Sequence, residues 1–448
     1  MAVNGSFRDR SGFVFIEDGQ VFRQVNPSYQ AHYDRLMVSG LYAKLTAAGL
    51  LIPHEEVGER RLRPEQIPFI SYPYEWSFSQ LKAAALATLS VQRTAMDHGL
   101  TLKDASAFNI QFRGPRPVLI DTLSFEIWDE TAPWAAYRQF CQHFLAPLLL
   151  MAHTDVRLNQ LSRVHIDGIP LDLASKLLPR HTWLRLGTLM HVHLHARFQK
   201  RYEDAGASAP AAGYSRFKLL ALIDSLTSLV TGATWRPAGT VWTDYAGDHP
   251  SYSARALAHK TSVVSAFLDK AAPRRVWDLG ANTGDFSRLA TAKGMSVVSF
   301  DMDAGCVERN FLRAARENDG FMLPLVMDVT NPSPGIGWDG SERMPLAERE
   351  EPDTVLALGF IHHLALANNI PLDHIAGFFS RTGRTLIVEF VPVTDPFATR
   401  LLAGRQDLAA EYTQAAFESA FARHFDIVDA VPVTDSARTL FFMKRRTA

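Results

Sequence analysis

From Val276 to Phe390 the chain repeats one pattern five times, a short apolar run followed by a stretch long enough for a helix. The runs are Val276-Trp277-Asp278-Leu279, Ser296 to Asp301, Leu323 to Val329, Asp353 to Gly359 and Thr385 to Phe390. Continuous apolar runs separated by helical stretches predict buried parallel strands joined by crossover helices. The last two runs, Phe425 to Asp429 and Arg438 to Met443, have no helical stretch between them and predict an antiparallel pair. Helical patterns cover Arg216 to Leu229 and Ala254 to Leu268. In an open sheet of this kind a ligand binds outside the carboxyl ends of the strands.

The chemistry at those ends is specific. The first strand runs into Asp278-Leu279-Gly280-Ala281-Asn282-Thr283-Gly284, a turn whose glycines tolerate unusual backbone angles and close ligand approach. A dinucleotide site presents bare amides to a pyrophosphate. Here Asn282 replaces the second glycine, and the Asp278 carboxylate, standing just before the turn, repels phosphate and suits a cationic ligand. The second strand ends in Asp301, 23 residues on, where a carboxylate can accept from a ribose diol. Asp328, after the third strand, can accept from an adenine amino group. Taken singly, each acid also fits a helix cap.

This ordered set resembles motif I and the strand-end residues of class I S-adenosylmethionine-dependent methyltransferases, over roughly residues 240 to 448. Asn331 to Trp338, Leu358 to Leu364 and Glu389 to Pro392 look like a bacterial subfamily of these enzymes. The resemblance implies an α/β fold with a Rossmann-like seven-stranded sheet and S-adenosylmethionine as cofactor. It implies cofactor contacts from Asp278, Gly280, Asn282, Gly284, Asp301, Met302, Asp328 and Val329. Asn331-Pro332-Ser333-Pro334, after the third strand, would wall the adenine, with Trp338 as a stacking or lid residue. His362 and His363 follow the fourth strand, where the methyl group would emerge, and either imidazole can serve as general base. Both also fit a structural role, because proximity alone drives many methyl transfers. Glu389 ends the fifth strand and is placed to orient an acceptor; its alternative is a pair with Arg400. No metal is expected there.

The amino-terminal half has a different grammar, α+β in character. Phe13 to Val25 reads as a hairpin about Asp18-Gly19. Helical patterns run from Tyr29 to Ala48 and from Ser77 to His98, and Trp134 to Gln199 is largely helical. Between them the spacing of Asp104, Asn109 and Asp121 resembles the catalytic loop and metal-binding aspartate of protein-kinase-like folds. That resemblance implies Asp104 as proton acceptor and Asn109 and Asp121 as magnesium ligands. The sequence departs from the pattern in three places: no glycine-rich loop spans the hairpin, Arg23 stands where a lysine is expected, and Thr122-Leu123 follows Asp121. A polar loop in which Asp104 caps backbone amides fits equally well.

Composition narrows the rest. The 448 residues are too many for one core and suggest an α+β domain over 1–203, a linker and connecting helix over 204–239, and the methyltransferase-like domain over 240–448. The small, flexible run Asp204 to Gly213 is the linker candidate, and Trp242 to Tyr245 with Tyr252 forms an aromatic cluster before the helix that starts at Ala254. A net charge of −1 gives no general pull toward nucleic acid or anionic lipid. Two distant cysteines, Cys141 and Cys306, support neither a disulfide framework nor a thiolate zinc site. With no signal-like start and no run long enough to span a bilayer, a cytoplasmic protein is expected. The expectation is a methyltransferase acting on a small-molecule or glycan-type acceptor, its N-terminal domain recognising that substrate. A bifunctional kinase-methyltransferase and a non-catalytic cofactor-binding module are the alternatives.

Overall fold

A computed structural model describes residues 3–195, 215–237, 252–402 and 410–446. The linker candidate Asp204 to Gly213 and the aromatics Trp242 to Tyr245 lie outside them. The chain divides into two compact units, one of Met1–Arg236 with Gly335–Arg343 and one of Pro237–Pro334 with Met344–Ala448. Residues 216–236 of the expected linker region therefore group with the N-terminal unit, as does the short segment 335–343.

The N-terminal unit opens with strands β1 (Gly12–Glu17) and β2 (Gln20–Val25), paired antiparallel about Asp18-Gly19. Both turn residues have positive φ, 50° and 74°, as the tight hairpin signal requires. With β3 (His54–Gly58) and β4 (Arg61–Pro64) they form a four-stranded sheet in the order β1-β2-β4-β3. The helix expected over 29–48 is two, Gln30–Val38 and Leu41–Ala47, divided where Gly40 takes a left-handed φ of 79°. The long helix Phe78–Asp97 is capped by Ser77, whose hydroxyl accepts from the Gln80 amide. It leads to β5 (Leu100–Leu102), the polar loop, β6 (Ile110–Arg113), β7 (Arg116–Leu119) and β8 (Phe125–Ile127). From Tyr137 to Leu194 the expected helical region is a succession of short turns around Phe140, Phe144 and Leu148, all fully buried. Helix Arg216–Gly232 packs on Phe78–Asp97; Lys82 Nζ donates to the carbonyls of Thr231 and Ala233 at its end.

The C-terminal unit is built on seven strands: β9 (Arg275–Leu279), β10 (Ser296–Asp301), β11 (Met322–Val326), β12 (Thr354–Ala357), β13 (Thr385–Phe390), β14 (Phe425–Pro432) and β15 (Thr439–Arg445). Their order is β11-β10-β9-β12-β13-β15-β14; the first five are parallel and β15 runs antiparallel to both neighbours. All seven expected strands are present. The third and fourth are shorter than the apolar runs suggested, so Asp328 lies beyond the end of β11 and Gly359 beyond that of β12. One sheet face buries Val276, Val297, Leu356, Ile387 and Phe442 against helix Ala254–Ala271, each large apolar side chain contributing about 1.5–3 kcal/mol. Elsewhere the rings of Phe390, Phe421 and Phe441 pack at a tilt around Phe417.

Candidate functional site

The strand order reverses between β9 and β12, opening the crevice where open α/β sheets hold ligands. The turn after β9 fills one side of it. Gly280, Asn282 and Gly284 have φ of 75°, 51° and 78°, and the amides of Gly280 and Ala281 both donate to the Phe300 carbonyl on β10. A Cβ on Gly280 would stand 2.6 Å from the Phe360 ring, and one on Gly284 2.4 Å from Asn310 Nδ2. Neither position admits a larger residue without displacement.

Two acids meet at this edge. Asp278 is buried, with Ser287 Oγ donating to Oδ2 at 2.5 Å. Burial, aided by the nearby Asp301 charge, pushes its carboxyl up to about 7. Asp301 is half-buried; Oδ2 accepts from the Asn282 amide and Oδ1 from the Asp303 amide, each at 2.8 Å. Burial raises it to about 6 against those two hydrogen bonds. Each oxygen keeps a second lone pair for a ligand hydroxyl. Gly280, Asn282, Gly284 and Asp301 thus belong to one hydrogen-bonded turn, with Asp278 near enough to Asp301 to feel its charge. Met302, next in sequence, is 69% exposed. Asp328 and Val329 are half-buried, and Asp328 Oδ1 accepts from the Thr330 amide and hydroxyl, a local turn that leaves the carboxylate's other oxygen for a ligand. Trp338, the expected stacking or lid residue, is 73% exposed and groups with the N-terminal unit.

On the other side of the crevice, Glu389 is fully buried within a network the sequence did not reveal. Lys260 Nζ donates to Oε2 at 2.8 Å, the Tyr252 hydroxyl donates to Oε1, and Arg438 Nη1 lies 3.7 Å from Oε2. Arg438 also donates to the Tyr252 hydroxyl at 3.0 Å and, through Nε, to Asp395 at 2.8 Å. The expected partner Arg400 instead lies over the Phe397 ring. Burial alone would raise the Glu389 carboxyl, but Lys260 and Arg438 outweigh it and hold it below the usual range. Glu389 is consequently a fixed anion. Lys260 could have been found: it interrupts the apolar stripe Ala256, Val264, Phe267, Leu268, and a lysine there requires a buried partner.

His362 and His363 lie side by side, ring centroids 4.1 Å apart. His362 is 2% exposed and neither ring nitrogen has a hydrogen-bond partner. Burial, with His363, Arg438 and Lys260 adding repulsion, drives its pKa well below the ordinary value; burial brings half-buried His363 to about 4. Both imidazoles are therefore neutral at physiological pH. The turn opens into a short helical stretch, His363–Ala367, close to the expected start at Ala365.

Further residues missed from sequence hold the turn. Arg288 Nη1 donates to the carbonyls of Thr283 and Gly284 and to Asn310 Oδ1, while Asn310 Nδ2 donates to Ser299 Oγ. Among the described residues no helix is long and apolar enough to cross a membrane.

The sheet order, the lone antiparallel strand β15 and the glycine turn after β9 define the class I methyltransferase fold in the C-terminal unit. The chain is 34% identical over 462 residues to the nodulation protein NoeA of Rhizobium meliloti (strain 1021), covering 99% of this chain and 96% of that one, and it belongs to the NoeA family. No family model matches. Among solved structures it is similar to the bifunctional kinase-methyltransferase WbdD, at 16% identity over 42% of this chain and 39% of that one, with a TM-score of 0.31. It is also similar to the N-methyltransferase NodS of Bradyrhizobium japonicum WM9, at 11% identity over 44% and 99%, with a TM-score of 0.32. Scores of this size assign no activity.

Proposed function

We propose that the chain is an S-adenosylmethionine-dependent methyltransferase whose C-terminal unit carries the chemistry and whose N-terminal unit recognises the acceptor. The observation that carries this reading is the meeting of Asp278, Gly280 and Asp301 at one sheet edge, two carboxylates raised by burial beside a turn whose glycines admit no side chain. Buried acids without a cation of their own favour a ligand that brings hydrogen-bond donors and positive charge. Asp301 would accept from the ribose hydroxyls and Asp278 would face the cationic end, with Gly280, Asn282, Gly284, Met302, Asp328 and Val329 completing the contacts. Bound there, the cofactor supplies a carbon made electrophilic by its sulfonium. The protein's part is to position a nucleophile and, where that nucleophile is protonated, to take up a proton.

His362 is the residue assigned to that proton. Its imidazole is neutral, and its two unpartnered nitrogens offer one donor and one acceptor to an acceptor hydroxyl or amine. His363 supports it by ring contact, and Glu389 holds the Tyr252, Lys260 and Arg438 side chains in place. A small-molecule or glycan-type acceptor is proposed, and the kinship with NoeA suggests that the product serves nodulation. Calorimetry of the full chain with S-adenosylmethionine and S-adenosylhomocysteine tests the cofactor assignment: binding at micromolar to millimolar ligand that is lost in Asp301→Ala supports it. A folded protein that takes up neither ligand overturns it.

A further inference from the structure

The kinase-like resemblance of the N-terminal unit implies magnesium and a nucleotide at Asp104, Asn109 and Asp121, and the side chains there do not fit that pair. Magnesium requires near-octahedral oxygen ligands at about 2.0–2.1 Å, with carboxylates free to supply them. Asp121 is 7% exposed, and both of its oxygens already have partners within the unit. Oδ1 accepts from the Leu123 amide at 2.9 Å and meets Arg23 Nη2 at 2.5 Å, while Oδ2 accepts from Ser124 Oγ at 2.7 Å. Asn109 is turned to the same serine, with Nδ2 donating to Oγ at 3.3 Å. Asp104 Oδ1 accepts from the Ser106 amide at 2.9 Å, the capping role that was the alternative from sequence.

The cations are occupied as well. Arg23, the candidate for gripping phosphate, lies 3.6 Å from Asp9, and Lys103, beside Asp104, lies 3.6 Å from the other oxygen of Asp9 and donates to Ser11 Oγ. Lys103, Asp9, Arg23 and Asp121 therefore form a chain of alternating charge that sums to zero. Asp9 comes from the segment before β1, which is fixed in place: the Ser11 amide donates to Asp9, the Asn26 amide donates to the Ser11 carbonyl, and a Cβ on Gly12 would stand 2.0 Å from the Gln24 carbonyl oxygen and 2.6 Å from Leu123. The hairpin beyond turns in two residues and offers no span to cover phosphates.

We infer that this centre is a metal-free structural lock: Asp9 takes the place a phosphate would need between Arg23 and Lys103, Arg23 takes the place a divalent cation would need at Asp121, and the N-terminal unit transfers no phosphoryl group. The inference is independent of the methyl-transfer assignment, since every residue in it belongs to the N-terminal unit. Titrating the full-length protein with magnesium alone and with magnesium and a non-hydrolysable ATP analogue should give no saturable heat up to millimolar ligand. Saturable, magnesium-dependent nucleotide binding that Asp121→Ala abolishes would overturn the lock. Thermal melting of Arg23→Ala, Asp121→Ala and the double variant supplies a second readout. Each single change should lower the melting temperature by several degrees, and the double change by clearly less than the sum, because the partners are coupled. Additive effects, or none, would reject the pairing as the element that holds the loop.

Discussion

The backbone amide of Asn282 donates to Asp301 Oδ2 at 2.8 Å, so the acid that ends β10 and the turn that ends β9 are one hydrogen-bonded piece. Asp301→Ala should therefore do two things at once. Cofactor affinity should fall at least about tenfold, since a hydrogen bond to a charged acceptor contributes roughly 1.5–3 kcal/mol. The turn should also loosen, visible as faster amide exchange at residues 280–284. Unchanged affinity in that variant would remove Asp301 from the ligand site.

Asp278 and Asp301 together set fold stability and cofactor affinity on opposite courses with pH. Their folded pKa values, about 7 and about 6, are raised above the ordinary 3.8. The ligand-free protein therefore gains stability from the protonated forms below about pH 4 and loses it as pH rises through 6 and 7. Cofactor affinity should run the other way, strengthening over pH 5.5 to 8 as the carboxylates ionise. Asp278→Asn should flatten the upper part of that affinity profile, and an unaltered profile would show that Asp278 does not face the ligand.

Removing one member of the Glu389 network should cost more than its net contribution. Glu389→Gln leaves Lys260 and Arg438 buried beside each other without their shared anion, and a loss of about 3–5 kcal/mol is expected in denaturant unfolding. Lys260→Met, which leaves Glu389 still facing Arg438 at 3.7 Å, should cost less. The reverse ranking would mean that Arg438 and Asp395, rather than Glu389, anchor the cluster.

Gly284→Ala should cost about 1–2 kcal/mol for the left-handed backbone, with more from the clash against Asn310. Loss of cofactor binding should accompany it. Asn310→Ala, which opens the space, should partly restore the fold in the double variant, and no restoration would place the strain elsewhere.

His362→Ala should lower kcat by about 10²–10⁴-fold, the usual share of a general base, while leaving cofactor affinity intact. The effect of His363→Ala should be smaller. Equal effects from both, or a change in cofactor affinity alone, would reassign the pair to structure.

The sheet was legible because its parallel strands are buried on both faces and read as apolar runs; β10 and β13 coincide with their runs residue for residue. The corner proposed for the cofactor could be picked out because Asp278, the glycines and Asp301 sit at fixed offsets from those strands. Glu389 was found, but its partners were not, since Tyr252, Lys260 and Arg438 lie 137, 129 and 49 residues away and only the fold brings them together. That Gly335–Arg343 groups with the N-terminal unit was not legible, because sequence proximity to β11 says nothing about which unit a nine-residue excursion joins. Asp104 and Asp121 had the spacing of a phosphotransferase loop, yet spacing does not report on Asp9, far upstream, which neutralises the cations beside them.

Arg288 grips the carbonyls of Thr283 and Gly284 and pairs with Glu317 on the following helix at 3.1 Å. The loop it clasps is held by side-chain contacts that need no nucleoside, so association should spend little conformational entropy on shaping the cradle. Cofactor exchange should then be governed by how quickly the ligand diffuses in and out, with turnover limited by the acceptor half of the reaction.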